Sequence, residues 1–425
     1  MNALEPASTL QQAYRLLEPN PLNEDNLSLY ASRSDTEIER LILKLTNSDR
    51  HSATKWLVTG HRGNGKSTEF QRLRQKLQDP DSPTHLVVYV DVNDPHEGLD
   101  LNDIQIQDLL LFIGLHVYRT AYREGLIADR SPTVRRLLDL VRSFRVTRVP
   151  TEGKVSAKLN LIFAEFAVDL NKTLDFRREL REDIDSNYNQ LLLLFNELFE
   201  NIAANAAPRS LLVVVDSMDR LTPERALAAF HTSSPLRALK CHAIYTPPLS
   251  IFYHADFAPI RLAFENNDMV LPNVLIKSYS GANVAAGREF LGEILRRRLT
   301  LEIIEPAALE QLITLSGGLP RELVYLAREA CTFALLEQSS QIEAAHVERS
   351  AAVYRNQFTH VLTADDYPVL CAMFGGQKRQ TTTPQLQMLL HKLVVMEYAD
   401  ATESWYDVHP VVTPLLEERC HDNAA

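Results

Sequence analysis

The sequence has no apolar stretch long enough to cross a bilayer. Its richest runs, Leu109 to Ile113 and Leu191 to Phe195, stop far short of the ~20 residues a membrane helix needs. Cysteine is scarce. Cys241, Cys331, Cys371 and Cys420 lie far apart and form no CxxC pair, which argues against a zinc site and predicts reduced, mostly buried thiols with no disulfide framework. Positive charge is short too, with 44 Lys and Arg against 55 Asp and Glu and a formal charge of −11. Such a balance argues against a whole surface that grips nucleic acid or anionic membrane, and leaves room only for a local basic patch. Met1 to Pro6 lack the basic and apolar segments of a secretory leader, and no tract is repetitive or of low complexity. A cytoplasmic globular protein is therefore expected. With 45% apolar and 23% charged residues, the 425-residue chain has ample core material and exceeds the usual span of one core, so about two or three domains follow.

Strand and helix signals alternate through the first two thirds. Lys55 to Thr59 reads as a short strand, and a Gly-rich loop and a helix from about Lys66 to Leu77 follow. His85 to Val92 and Leu211 to Asp216 are β-branched runs suited to buried parallel strands; Cys241 to Tyr245 is a shorter one, and Met269 to Ile276 an edge strand. Residues of about 100–208 are mostly helical, with Val155 to Leu161 readable as strand, helix or hairpin. After about 283 the strands stop and four helices follow, with Gly317-Gly318-Leu319-Pro320 between the second and third. Residues 360–425 give a helix, a polar turn, a second helix, two short strands and a terminal helix, the order of a winged helix-turn-helix. The expected fold is thus α/β, a parallel sheet covered by helices, then an all-helical lid and a winged helix. The expected domains are a leading segment 1–50, a core 51–282 with its insertion, a lid 283–359 and a winged helix 360–425.

Gly60-His61-Arg62-Gly63-Asn64-Gly65-Lys66-Ser67 matches GxxxxGK followed by Ser or Thr, and Thr68 continues it into the helix. Glycines let successive N–H groups turn inward on phosphates, and the helix start adds its positive end. Lys66 brings a point charge to the β/γ-phosphates, and the Ser67 hydroxyl is a Mg²⁺ ligand. Val213-Val214-Val215-Asp216 fits the companion Walker B strand, with Asp216 on the metal. Ser217 follows it where many such ATPases carry an acid, so hydrolysis is expected to be slow. Asp219 is the nearest acidic substitute, and it fits a local ion pair with Arg220 equally well. Thr246 ends the next strand, placed either to sense the γ-phosphate or simply to precede a Pro-Pro turn. Gly318, Pro320 and Arg321 begin a lid helix from which Arg321 reaches towards β/γ-phosphates. Arg296-Arg297-Arg298 fits a solvated helix end better than an arginine finger.

Taken in order, these pieces resemble the STAND and AAA+ branch of P-loop ATPases, including NB-ARC-like and origin-recognition-complex-like members. The resemblance runs from about Leu27 to Glu418 and includes Leu29-Tyr30 and Arg33 ahead of the first strand. Asp216-Ser217-Met218-Asp219-Arg220 is also similar to the Walker B of KAP-type ATPases. In STAND proteins a Gly-x-Pro segment lies over adenine, which the resemblance assigns to Gly318 to Pro320. Their Met-His-Asp signature lets a winged-helix His touch the ADP β-phosphate; Val408-His409-Pro410 keeps the His and replaces the Asp.

The leading expectation is a nucleotide-driven switch that binds ATP and ADP with Mg²⁺. Its nucleotide state would control self-association or a partner protein, as in prokaryotic defence or signalling. The alternative is a DNA-binding ATPase of the origin-recognition or transposition-regulator kind. Few basic residues in Pro384 to Lys392 and the negative chain disfavour nucleic acid. A nucleotide-binding scaffold without turnover is the third reading, raised by Ser217.

Overall fold

A computed structural model describes residues 4–33, 37–49, 52–128, 130–146, 154–169, 174–231, 234–400 and 402–421. Met1 to Ala3, the start of the N-terminal stretch considered above, lie outside them; an early helix is described over Glu37–Thr46. The chain divides into two compact units. One comprises Glu39–Thr59 and Leu73–Met269, the other Met1–Ile38, Gly60–Arg72 and Val270–Ala425. The residues Gly60–Arg72 belong to the same unit as the C-terminal segments.

The first unit is built on strands β1 (Lys55–Thr59), β2 (His85–Asp91), β3 (Ser210–Asp216), β4 (His242–Tyr245) and β5 (Asp268–Val270), in the order β2-β3-β4-β1-β5. β2 runs parallel to β3, β3 to β4 and β4 to β1. Both faces are covered, so β3 is buried at every residue and reads Leu-Leu-Val-Val-Val before its terminal Asp. From β1 the chain crosses to the far edge at β2, steps back to β4, then passes to β5 beyond β1. The order therefore reverses beside β1, and the loop leaving its carboxyl end occupies the position where open α/β sheets bind ligands.

Among the described residues, five helices fill the insertion between β2 and β3: Ile106–Arg123, Pro132–Arg142, Val155–Asp169, Leu174–Ser186 and Tyr188–Asn205. The ambiguous Val155 to Leu161 stretch is helical because Leu159, Ile162, Phe163 and Phe166 recur at helical spacing and are all buried. Two of these helices approach closely at Gly114, where an added Cβ would lie 2.3 Å from the Phe195 ring. Arg181 locks another in place by bonding Asp108 and Asp103 at 3.0 and 3.1 Å.

In the second unit lie the helices Ala285–Arg296, Pro306–Leu315, Pro320–Leu336 and Ala344–Thr359. Then come Tyr367–Phe374, Pro384–His391, an antiparallel hairpin of β6 (Val395–Ala399) and β7 (Ser404–Val408), and Thr413–His421. The hairpin core joins Met396, Tyr398 and Trp405 to Leu319 of the Gly-Gly-Leu-Pro turn.

Three expectations change here. The edge strand stops at Val270, because Pro272 has no N–H and the neighbouring backbone bonds elsewhere: Leu271 O accepts from Asn64, and Val274 N donates to Gly318 O. Cys371 and Cys420 are joined in a disulfide with Cα atoms 5.5 Å apart, tying the last helix to Tyr367–Phe374; Cys241 and Cys331 remain buried thiols. Arg298 is not a solvated helix end but 5% exposed, with its guanidinium on the Leu29 and Ile294 carbonyls. Burial, then the charge of Arg297, lowers its pKa to about 10.

Candidate nucleotide site

The loop from Gly60 to Ser67 owes its shape to glycine. Gly60, Gly63 and Gly65 have φ of 148°, 87° and 100°, values that L side chains rarely adopt. A Cβ on Gly60 would lie 2.4 Å from Asn64 Nδ2 and 2.5 Å from Leu271 O. Asn64 is fully buried and donates from Nδ2 to Leu271 O at 2.8 Å, pinning the loop. Lys66 turns its ammonium into the curl, donating to the Gly60 and His61 carbonyls at 2.8 and 2.9 Å. Ser67 is half-buried on the first helical turn. Thr68 accepts from Leu22 N at 3.1 Å, which anchors the N-terminal segment to that turn. Nearby, the Tyr30 hydroxyl donates to the buried Glu69 carboxylate at 3.0 Å; burial and then that carboxylate push the Tyr30 pKa up to about 12.

Arg33 braces the loop from the other side, donating to Asn64 O at 2.6 Å and Pro272 O at 2.8 Å. It also borders a cavity of about 190 Å³ whose apolar walls include Val274, Leu275, Val284 and Phe290. An apolar slot beside a phosphate-type loop suits a flat, uncharged ring.

Two further segments hold the loop, the start of the lid helix and the C-terminal segment. The lid turn needs glycine, since Gly317 and Gly318 have φ of 59° and 85° and a Cβ on Gly318 would meet Val274 O at 2.0 Å. Pro320 then starts the helix, and Arg321 donates its backbone N–H to Gly63 O at 3.1 Å. Its guanidinium lies against Gly63 and pairs with Glu322 at 3.2 Å. From the C-terminal segment, Glu397 N donates to His61 Nε2 at 2.8 Å, and Arg62 donates to His391 O at 2.5 Å. Tyr398 donates to Gly317 O at 2.7 Å.

His409 is fully buried beside Phe358 and Tyr354, with ring centroids 5.5 and 5.9 Å away. Its Nδ1 accepts from Val411 N at 3.2 Å. Burial lowers its pKa to about 4, opposed by the Glu322 charge. Burial, then the charges of Lys66, His409 and Arg62, lowers that of His61 to about 3. Both rings are neutral near pH 7.

Within the sheet unit, Asp216 ends β3 and is 1% exposed. Its Oδ2 accepts from the Tyr89 hydroxyl at 2.5 Å, and its Oδ1 from Ser217 N at 2.7 Å. Ser217 sits in the left-handed region at φ 65°, a strain typical of functional turns. Thr246 is fully buried; its hydroxyl accepts from Met218 N at 3.1 Å and donates to Val215 O at 3.2 Å, so here it braces the turn after β3. Asp219 is half-buried in the short helix Met218–Arg220. Tyr89 was not foreseen; its one signal is a polar tip within an otherwise apolar strand.

Three basic residues of the C-terminal segment have acidic partners. Lys378 pairs with Asp407 at 2.7 Å, Arg379 pairs with Glu403, and Lys392 lies 3.5 Å from Asp366.

No protein-family model matches the sequence, and no curated protein matches it. Among solved structures the chain is similar to Cdc6p from Pyrobaculum aerophilum, with 12% identity, a TM-score of 0.46 and coverage of 96% of this chain and 98% of that one. The ORC2 protein of Aeropyrum pernix, solved in ADPNP-ADP complexes, gives 13% identity and a TM-score of 0.45 over 96% of each chain. The Walker-type ATPase PABY2304 of Pyrococcus abyssi gives 15% identity and a TM-score of 0.45 over 95% of this chain and 99% of that one. The fold itself, a parallel α/β sheet with the phosphate-type loop leaving β1 and a mainly helical C-terminal part, stands on the strand order and loop geometry of this chain.

Proposed function

We propose that this protein is an ATP-binding, slowly hydrolysing switch in which a helical lid (283–359) and a winged helix (360–425) read the nucleotide held at the Gly60–Ser67 loop. One observation carries the reading: the loop is bonded on consecutive residues by those segments, His61 by Glu397 N, Arg62 by His391 O and Gly63 by Arg321 N. A loop that reshapes around phosphates must disturb those bonds, so nucleotide state and the position of the winged helix are linked.

The residues suit the ligand. The positive-φ glycines free backbone N–H groups for phosphate oxygens, Lys66 supplies a buried cation, and the slot beside Arg33 accepts an adenine-sized ring. Gly318 packs on Val274 of that slot, and Pro320 and His409 are further nucleotide contacts in this reading. Mg²⁺, when bound, neutralises charge on the β- and γ-oxygens; Ser67 and Asp216 are its ligands in this reading. Asp219 takes the role of orienting water, with Ser217 in the usual acidic position accounting for slow turnover. ADP holds lid and winged helix closed, and ATP releases them for self-association or a partner protein.

Size-exclusion chromatography and limited proteolysis, with ADP and with a non-hydrolysable ATP analogue, test this. A changed elution volume and new cleavage between about 360 and 421 with the analogue are expected; identical behaviour in both nucleotides refutes the switch. The alternative, a DNA-binding ATPase, has to work through Lys378, Arg379 and Lys392, whose charges are matched by Asp407, Glu403 and Asp366. Tight, salt-sensitive DNA retention in filter binding would reverse that ranking.

A further inference from the structure

His61 is the second residue of the loop and 4% exposed. Its Nε2 accepts from the Glu397 backbone at 2.8 Å. A backbone N–H can only donate, so Nε2 carries the lone pair and the neutral ring has its proton on Nδ1. That Nδ1–H is buried and meets no acceptor among the described residues. The same logic applies to His409. Val411 N donates to its Nδ1, so its proton is on Nε2, also buried without an acceptor. The Lys66 ammonium donates to the carbonyl of His61 itself at 2.9 Å. The His61 imidazole N–H therefore sits in the loop that holds the Lys66 ammonium, kept in one tautomer by the Glu397 amide. Buried donors without acceptors are costly and uncommon. An oxyanion is an acceptor that satisfies the His61 donor and tolerates the cation bonded to the same residue.

We propose that His61 is a further nucleotide-contacting residue through its side chain: its Nδ1–H donates to the terminal phosphate of a nucleoside diphosphate while its Nε2 holds the hairpin. This rests on the nucleotide-switch reading and adds the part that transmits. Negative charge at Nδ1–H pushes electron density through the ring and makes Nε2 a better acceptor, as a carboxylate does for a metal-bound imidazole. The bond to Glu397 N tightens when the diphosphate is present and slackens when it leaves. By linkage, docking of the hairpin tightens the diphosphate equally.

The test compares the full-length wild-type protein with His61→Gln and His61→Asn, titrated calorimetrically with ADP and with AMP. Hydrogen exchange of the 395–399 backbone is followed in parallel, and thermal melting checks folding. Gln reaches the Glu397 amide but has no donor at the Nδ1 position; Asn keeps that donor and cannot reach the hairpin. His61→Gln should weaken ADP binding roughly ten-fold or more and AMP binding less than about two-fold. His61→Asn should keep the preference for ADP over AMP and lose the ADP-induced protection of 395–399. Wild-type ADP affinity in His61→Gln, or equal losses for ADP and AMP, overturns the assignment and leaves the switch standing. A wild-type protein that binds neither nucleotide overturns the switch itself, and this assignment with it.

Discussion

Acidification should release the hairpin segment before it unfolds the sheet. His61 and His409 have pKa values lowered to about 3 and about 4 where they are buried, and return to about 6.5 once exposed. A depressed histidine pKa stabilises the closed form above about pH 6.5, and that stability drains away as pH falls from there towards the buried values. At about pH 7.5 the exposed ring gains almost nothing from protonation. At about pH 5 it gains RT ln(1 + 10^1.5), about 2 kcal/mol, while the buried ring still refuses the proton. Two rings make about 4 kcal/mol, comparable to the whole stability of many domain contacts. The charged groups around them do not cancel this: Lys66 and Arg62 oppose protonation of His61, and only Glu322 favours it at His409.

Trp405 reports on the outcome, since it is buried with Met396, Tyr398 and Leu319 in the hairpin core. The chain has only one other tryptophan, Trp56 on β1, so a Trp56→Phe variant isolates its fluorescence. Its emission should shift to the red with a midpoint between about pH 6.5 and 4, ahead of any loss of far-ultraviolet circular dichroism. His85 and His116, each lowered to about 4 chiefly by burial, weaken the sheet unit in the same direction, which is why two signals are needed. Adding His61→Gln removes about half of the penalty and should move the Trp405 midpoint to lower pH. Emission that stays flat to about pH 5, or that moves only together with the dichroism, refutes the reasoning.

Tyr89→Phe removes the hydroxyl on Asp216 Oδ2; melting should register a loss of about 1.5 kcal/mol, and Mg²⁺ should bind the Asp216 carboxylate several-fold more tightly in titrations with ADP. Gly60→Ala puts a Cβ 2.4 Å from Asn64 Nδ2 at a φ of 148°, so ADP binding should vanish in calorimetry with a stability loss of roughly 2 kcal/mol or more; retained binding would refute the loop geometry. The Cys371–Cys420 pair closes a separation of 49 residues, worth up to about 4 kcal/mol in chain entropy. Reduction should lower the melting temperature of the C-terminal segment, and alkylation of the unreduced, denatured protein should tag Cys241 and Cys331 alone.

Local chemistry was legible in the sequence and long-range pairing was not. The loop from Gly60 to Ser67 can be read from its letters because the constraint, positive φ at Gly60, Gly63 and Gly65 before a helix, is contained within eight residues. β3 is legible for the same reason, as an apolar run buried on both faces with one acid at its end. The expected strand to Ile276 failed because its backbone partners are Asn64 and Gly318, far away in the chain. The disulfide was invisible because spacing says nothing about which helices lie side by side. Tyr89 meets Asp216 only through the register of β2 on β3. His61 shows most clearly where local reading ends. Its letter occupies a position the motif leaves open to any residue, and nothing near it marks it as special. What distinguishes it is the amide of Glu397, 336 residues on, which decides the ring nitrogen that keeps the proton and hence what the ring offers to a phosphate. The tautomer of one loop residue is thus set by the segment that the loop is proposed to control, and that closed dependence is what a switch requires.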